Sequence, residues 1–201
     1  MIIRQSLVRR SCCKTRQLDY NNIMNYRRYF IPNSIIFATI VTAKRRRILL
    51  DNINIIQNAI SYVKQNHKFK IIAMCVMQDH IHILMKPEDI AKYPIIIRNF
   101  KSYFSRNIDI INIKDYSETD NNKKHKAKDI WQQRYYEHNI RDEEDLNKHI
   151  DYIHYNSMKH YNITPKDWEY STFKEFVKNG YYEQDWCNFE DRNNINNMDF
   201  E

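Results

Sequence analysis

Two short stretches of the 201-residue chain hold side chains whose types and spacing could do chemistry. The first is Gln78-Asp79-His80-Ile81-His82-Ile83-Leu84. On an extended strand side chains alternate between faces, so His80 and His82 share one face while Ile81 and Ile83 take the other. Two neighbouring imidazoles bind a divalent cation once a third group completes the site. A His-x-His pair on its own also arises by chance, and then means only two polar residues on a strand. The second stretch is His149-Ile150-Asp151-Tyr152-Ile153-His154-Tyr155-Asn156. At helical pitch Leu146, Ile150 and Ile153 form an apolar stripe. Asp145, His149, Tyr152 and Asn156 lie together on the adjoining flank, with Lys159 one turn further. In a chain with 15 tyrosines, Tyr152 also reads as a boundary residue, its ring in the core and its hydroxyl in water.

The two stretches make more chemical sense together than apart. Tyrosine ionises near pH 10, so only about one phenol in a thousand is phenolate at neutral pH. It becomes a useful nucleophile when something favours the phenolate or takes up charge developing on the group under attack. A cation held by two histidines polarises a phosphate and neutralises that charge. A histidine pair on a strand and a tyrosine flanked by polar groups on a later helix therefore suit phosphodiester transesterification.

The elements that must position these residues are legible. The run SIIFATIVT, 34–42, is β-branched and apolar, a buried strand. A basic turn at 44–47 follows. Over 49–65 apolar residues recur at helical spacing. Residues 69–77 form a second strand, Gln78-Asp79 a turn, and 80–85 a third strand that Pro87 ends. Residues 93–107 read as a helix with Arg98, Lys101 and Arg106 on a basic face. Trp131 to Ile140 reads as a strand. The helix after it is the clearest, with Asp142 as N-cap, acids in the first turn and Lys159 and His160 near the other end. Thr164-Pro165 and Ser171-Thr172 each open a further short helix, and Gly180, the only glycine, suits a left-handed cap. This order predicts an α+β fold, an antiparallel sheet with helices packed on it.

Composition sets the bounds. At 42% hydrophobic, 28% charged and 13% aromatic residues the chain has the makings of a packed core. Net charge is +7 and the pI about 9.1, unevenly spread. Eleven Lys/Arg face Asp19 alone before residue 48, whereas six acids face Arg192 alone from Glu183 onward. A basic body suits a polyanion, nucleic acid first among them, although a merely soluble basic protein has the same balance. The run KKHKAK, 123–128, reads as a solvated loop or as a loop touching phosphates. Cys12, Cys13, Cys75 and Cys187 form no C-x-x-C pair, which speaks against a zinc ribbon or a disulfide framework and for a reducing cytosol. No apolar run approaches the roughly 18 residues of a membrane span, and residues 1–20 lack a signal core. Expected organisation is a basic extension over 1–23, a folded body over 24–182 and an acidic tail over 183–201. Met24 reads as a natural start; the alternative is a basic arm on DNA.

The segment CVMQDHIHILMKP resembles the His-hydrophobe-His hairpin of HUH nucleases. The segment WQQRYYEHNIRDEEDLNKHIDYIHYNSMKHYNIT resembles the second half of the REP-associated tyrosine transposases, relatives of the single-tyrosine transposases. YRRYF, DWEYSTF and YYEQDW fit the same layout, so the resemblance runs from Tyr26 to Trp186. It implies a ferredoxin-like antiparallel sheet with helices on it, the HUH nuclease fold, followed by a helical extension. It also implies that His80 and His82 are metal ligands, that Asn156 completes the site for Mg²⁺ or Mn²⁺, and that Tyr152 is the nucleophile. Trp131, Gln132 and Arg134 match the motif ahead of the catalytic helix, in a structural or DNA-positioning role. The chain departs from the family in having Gln78 and Asp79 where proline and then Asn or Glu are usual, and Ser157 where proline is usual.

The implied activity is cleavage and rejoining of single-stranded DNA through a 5′-phosphotyrosine, at hairpin or palindromic repeats. No ATP is needed, in keeping with the absence of a Walker-type loop. Arg27, Arg28, Arg45, Arg46, Arg98, Lys101 and Arg134 are the candidate DNA contacts. A monomer in the bacterial cytosol or nucleoid is expected, with a dimer as the alternative. Competing readings are a replication initiator or relaxase, a non-catalytic or decayed hairpin-binding protein of the same fold, and an α+β protein whose histidines and tyrosines are boundary residues.

Overall fold

The computed structural model describes residues 28, 30–109 and 129–187. Arg27, the KKHKAK run, the basic extension, most of the acidic tail, Cys12 and Cys13 lie outside them. Four strands build one sheet: β1 (Ile36–Val41), β2 (Phe69–Val76), β3 (His80–Pro87) and β4 (Tyr136–Asn139), in the spatial order β2-β3-β1-β4. Every pairing is antiparallel. With α1 (Ile53–Asn66) between β1 and β2, and α2 (Tyr93–Asn107) between β3 and β4, this is the ferredoxin-like arrangement.

The central strands are apolar on both faces because both are covered. Ile36, Ala38 and Ile40 of β1, with Ile81, Ile83 and Met85 of β3, pack against Ile56, Ala59 and Val63 of α1 and Ile96, Ile97 and Phe100 of α2. The opposite face carries Phe37 of β1, Ala73 and Cys75 of β2 and Leu84 of β3. It packs against Ile150, Tyr152 and Ile153 of α3 (Glu143–Tyr161). Strand alternation places His80 and His82 on this second face, under α3.

α3 has well-marked ends. The Asp142 carboxylate accepts the Asp145 amide at 2.8 Å, and Glu143, Glu144 and Asp145 occupy the first turn, where the helix dipole favours negative charge. Asn162, in the left-handed conformation at φ 55°, closes the other end with its amide on the Met158 carbonyl. Beyond it, Thr164-Pro165 forms only a 3₁₀ turn (Pro165–Asp167), and α4 (Phe173–Lys178) follows. Gly180 takes φ +75° after α4, as a left-handed cap requires.

Between them, 170–172 runs along the outer edge of β2, with the Val76 amide on the Tyr170 carbonyl at 2.8 Å and the Thr172 amide on the Met74 carbonyl at 2.9 Å. An otherwise open sheet edge is thereby paired. The strand expected over 131–140 is shorter. Trp131 makes only an isolated bridge to Thr42, and regular pairing begins at Tyr136. Cys75 and Cys187 are buried, and burial pushes the Cys75 thiol pKa up. Among the described residues no helix is long and apolar enough to cross a membrane.

Candidate active site

The register of the sheet builds the first half of the site. His82 stands opposite Thr39 of β1 and Cys75 of β2, and His80 opposite Val41. The two imidazole centroids are 4.7 Å apart, and both residues are buried. His80 Nδ1 meets Asp79 Oδ1 at 2.6 Å. A carboxylate only accepts, so Nδ1 carries the proton and the lone pair of the neutral ring is on Nε2. His82 Nδ1 meets Thr39 Oγ1 at 2.9 Å; in the tautomer in which Nδ1 donates to that hydroxyl, the lone pair is again on Nε2. Burial works against the charge on Asp79, but the bond to His80 and the nearby Arg45 hold its pKa below the ordinary carboxylate value.

The β2–β3 turn is fixed by its neighbours. The Thr42 amide and hydroxyl both donate to the Asp79 carbonyl, and the Leu49 amide donates to the Gln78 carbonyl. The Gln78 amide donates to the Tyr161 hydroxyl at 3.2 Å, tying the turn to the end of α3. A proline at 78 has no N–H for this bond. The departure at this position therefore replaces ring stiffness with a hydrogen bond. Ser157, the other departure, is buried inside α3, which continues to Tyr161.

The second half is α3. Its polar flank is more enclosed than the helical spacing suggests: Asp145, His149, Tyr152 and Asn156 are all buried, and Tyr152 has no exposed surface. Tyr152 lies with its ring centroid 5.2 Å from His82, edge to face. Lys159 Nζ is 5.2 Å from the Tyr152 ring centre, and His160 is 5.1 Å from His80. One turn beyond Tyr152, Asn156 Nδ2 donates to the Tyr152 carbonyl at 2.5 Å. Asn156 Oδ1 is buried without a hydrogen bond, a costly arrangement unless another group completes it. An amide oxygen and two imidazole nitrogens, Nε2 of His80 and His82, are donor types that suit a hard-to-intermediate divalent cation.

Toward the start of α3, Phe37 separates this group from a second one. Its ring stacks on His82 at 5.8 Å and touches Tyr152 at 6.1 Å and His149 at 4.8 Å. His138, Asp145 and His149 bring their ligand-type atoms within 4.8 Å of one another. Asp145 Oδ2, however, already accepts from His138 Nε2 at 2.8 Å and from Arg141 N and Nε at 3.0 and 3.1 Å. Burial opposes the charge on Asp145, yet Arg141 and His138 hold its pKa far below the usual carboxylate range. A guanidinium and a fixed backbone N–H on one oxygen make a carboxylate hub joining β4 to α3, not an open cation site.

The candidate DNA contacts separate into groups. Arg28, Arg98 and Lys101 line a cleft of about 310 Å³ with Gln133 and Tyr135. Arg28 pairs with Glu137 at 3.2 Å and lies over the Tyr135 ring. Lys101 donates to the Gln132 carbonyl at 2.7 Å, and burial pulls its pKa down to about 8. Arg134 is exposed. Arg45 pairs with Asp79 at 3.6 Å beside the histidines. Arg46 is buried and holds Asp129, so it stands apart from the exposed cations. Trp131 packs on Phe104 and donates to the Lys101 carbonyl, a core role. Spacing alone did not single out Thr39, His138 or His160. Thr39 emerges only from the β1–β3 register, whereas His160, eight residues after Tyr152, follows the same helical period that brought Asn156 into view.

A ferredoxin-like sheet carrying paired histidines against a helix-borne tyrosine defines the class of single-tyrosine HUH nucleases. Residues 33–156 match the family described as IS200-like transposases. The chain is 40% identical to a putative REP-associated tyrosine transposase of Haemophilus influenzae, over 81% of its own length and 92% of the relative's. Identity to the REP-associated tyrosine transposase of Escherichia coli K12 is 32%, over 81% and 90%. A solved REP-associated tyrosine transposase, bound to a REP hairpin, superposes with a TM-score of 0.68 at 28% identity, covering 87% of this chain and 94% of that one. The chain belongs to the IS200-like transposase family.

Proposed function

We propose that the chain cleaves and rejoins single-stranded DNA at hairpin or palindromic repeats through a 5′-phosphotyrosine on Tyr152. The observation that carries this reading is the approach of Tyr152 to His82 at 5.2 Å, with His80 a further 4.7 Å along. Attack by the phenol oxygen on phosphorus breaks the P–O3′ bond and releases a 3′-hydroxyl. A second 3′-hydroxyl then attacks the phosphotyrosine and restores the phosphodiester and the tyrosine. Bond energy is conserved in the intermediate, so no nucleotide cofactor is called for. His80 and His82 through Nε2, with Asn156 through Oδ1, would hold Mg²⁺ or Mn²⁺. Bound there, such an ion supplies charge neutralisation at the phosphate. Asp79 and Thr39 orient the ligand nitrogens, and Lys159 adds positive charge beside the nucleophile. Arg28, Arg98 and Lys101 contact phosphates along their cleft, with Arg134 and Arg45 beyond it. The catalytic unit is 24–182, acting as a cytosolic monomer on hairpin DNA; the binding of a REP hairpin by a solved relative supports the hairpin as partner.

One observation favours a second reading. Tyr152 has no exposed surface, so a phosphate reaches it only after the packing over its ring opens. A chain in which that packing stays shut would bind hairpins without cutting them. Covalent trapping separates the two. Wild type and Tyr152→Phe are incubated with end-labelled single-stranded hairpin oligonucleotides, with Mn²⁺ or EDTA. A denaturant-resistant adduct seen only with wild type and metal is expected. Tight binding with no adduct on any hairpin would favour the non-catalytic reading, and an adduct on Tyr152→Phe would remove Tyr152 as the nucleophile.

A further inference from the structure

We infer that Tyr136 stacks on an unpaired base beside the scissile phosphate and so fixes where the single strand lies across the site. This contact rests on the reading of the chain as acting on single-stranded DNA at hairpins, and adds to it a residue that grips the substrate.

Register places the ring. Tyr136 of β4 stands opposite Thr39 of β1, and Thr39 stands opposite His82 of β3. Residues directly opposite one another share a sheet face, so the three form one row on the face that carries the histidines. The Thr39 hydroxyl meets His82 within that row at 2.9 Å. Neighbouring strands lie about 4.8 Å apart, which sets Tyr136 about 10 Å from His82 across the sheet. The Tyr136 ring meets Phe37 edge-on at 6.1 Å, and Phe37 in turn touches His82 and Tyr152.

Exposure makes the ring available. His82 and Thr39 are buried, whereas Tyr136 is 42% exposed. His138, the next residue of β4 on this face, stacks on His149 of α3 at 4.8 Å. Phe30, Tyr62 and Tyr181 are exposed too, but they pack on Tyr93, Tyr103 and Phe176, outside the site.

The surroundings suit a nucleotide. Burial of part of the side chain and the Asp145 carboxylate raise the Tyr136 pKa, so the phenol brings no negative charge toward phosphates. Arg134, two residues earlier, is exposed and offers a cation to the DNA backbone. Proteins hold single strands by this combination, the base on an aromatic face and the phosphate beside a cation. Shelter for Phe37 alone would ask only for apolar bulk, which leucine supplies as well as tyrosine. Stacking asks for a ring.

The test is binding of a labelled hairpin with single-stranded flanks, read by fluorescence anisotropy in the Tyr152→Phe background with Mn²⁺, where cleavage does not interfere. Tyr136→Leu is expected to raise Kd by about 5- to 100-fold, and Tyr136→Phe to stay within about threefold. The same proteins are then titrated with oligonucleotides in which one flanking nucleotide at a time is abasic. At one position the abasic site should weaken the Tyr136 protein by the same factor as Tyr136→Leu, and the two changes together should cost no more than either alone. Additive losses at every position would overturn the inference and leave Tyr136 a cover for Phe37. If Tyr136→Leu fails to fold, a 5-iodouracil scan of the flanks decides: a photocrosslink to Tyr136 is expected, and crosslinks that map only elsewhere overturn the inference. Failure of the wild type to bind any hairpin would sink the hairpin reading along with it, whereas tight binding that is indifferent to Tyr136 sinks this contact alone.

Discussion

Replacing Asp79 by alanine should weaken metal binding by about 10- to 100-fold while leaving the fold in place. Asp79 Oδ1 accepts from His80 Nδ1 at 2.6 Å, a hydrogen bond with a charged acceptor, worth about 1.5–3 kcal/mol. At about 1.4 kcal/mol per factor of ten, that interval becomes roughly 10- to 100-fold when the bond serves to hold a ligand nitrogen in one tautomer and orientation. Loss of an orienting partner elsewhere costs a similar factor. The carboxylate also pairs with Arg45 at 3.6 Å, but the Arg45 side chain is 48% exposed, so this pair contributes less than about 1 kcal/mol. The turn itself survives the substitution, because Thr42 grips the Asp79 backbone carbonyl and not its side chain. Mn²⁺ titration followed by electron paramagnetic resonance gives Kd for wild type, Asp79→Asn, Asp79→Ala and Arg45→Ala. The expected order is wild type tightest and Asp79→Ala weakest, with Arg45→Ala within about threefold of wild type. An unchanged Kd in Asp79→Ala, alongside loss of binding in His80→Ala, would refute the claim that Asp79 fixes the ligand nitrogen.

Two further outcomes concern stability. Burial pushes the His154 pKa down to about 3, so the unfolded chain gains a proton near its ordinary pKa of about 6.5 while the folded chain does not. Stability should therefore fall as pH drops from about 6.5 toward 3, by up to roughly 1.4 kcal/mol per pH unit from this group, with His149 acting in the same direction. Denaturant melts at pH 7, 6 and 5 measure the slope. His154→Gln should flatten it, and an unchanged slope would rule out burial of His154 as its cause. Asp145→Ala should cost about 3 kcal/mol, since its carboxylate, 6% exposed, leaves His138 and the Arg141 amide without their acceptor. Urea unfolding checks this, with Arg141→Ala, whose side chain is 73% exposed, costing far less; equal losses would mean that the exposed guanidinium, and not the buried acceptor, holds the turn.

The fold was legible where the period was strong. The β-branched run of β1, the alternation of β3 and the spacing in α1 and α2 all survive in the structure, with α2 covering the expected 93–107. The 131–140 segment reads as one strand because tryptophan and tyrosine favour strands, yet the structure keeps only Tyr136–Asn139 as one. The Trp131 ring is instead drawn into the core against Phe104 and Phe100, and pairing with β1 starts only at Tyr136. A period of 3.6 located the polar flank of α3 but not its depth. That depth comes from Phe37, which a linear reading of β1 treats as one more apolar residue.

What the sequence could not supply is direction. β1 and β3 are antiparallel, so Thr39 falls opposite His82 and Phe37 beyond it. Along α3 the contacts run in order: His149 to Phe37, Tyr152 to Phe37 and His82, and His160 to His80. The helix therefore lies antiparallel to β3, and its turns meet the strand's histidines one after another. A helix packed the other way would set His160 against the Leu84 end of β3 and leave His80 beside the start of α3. The tyrosine would keep its place in the sequence, but it would lose its contact with the His82 ring, on which the proposed cleavage rests.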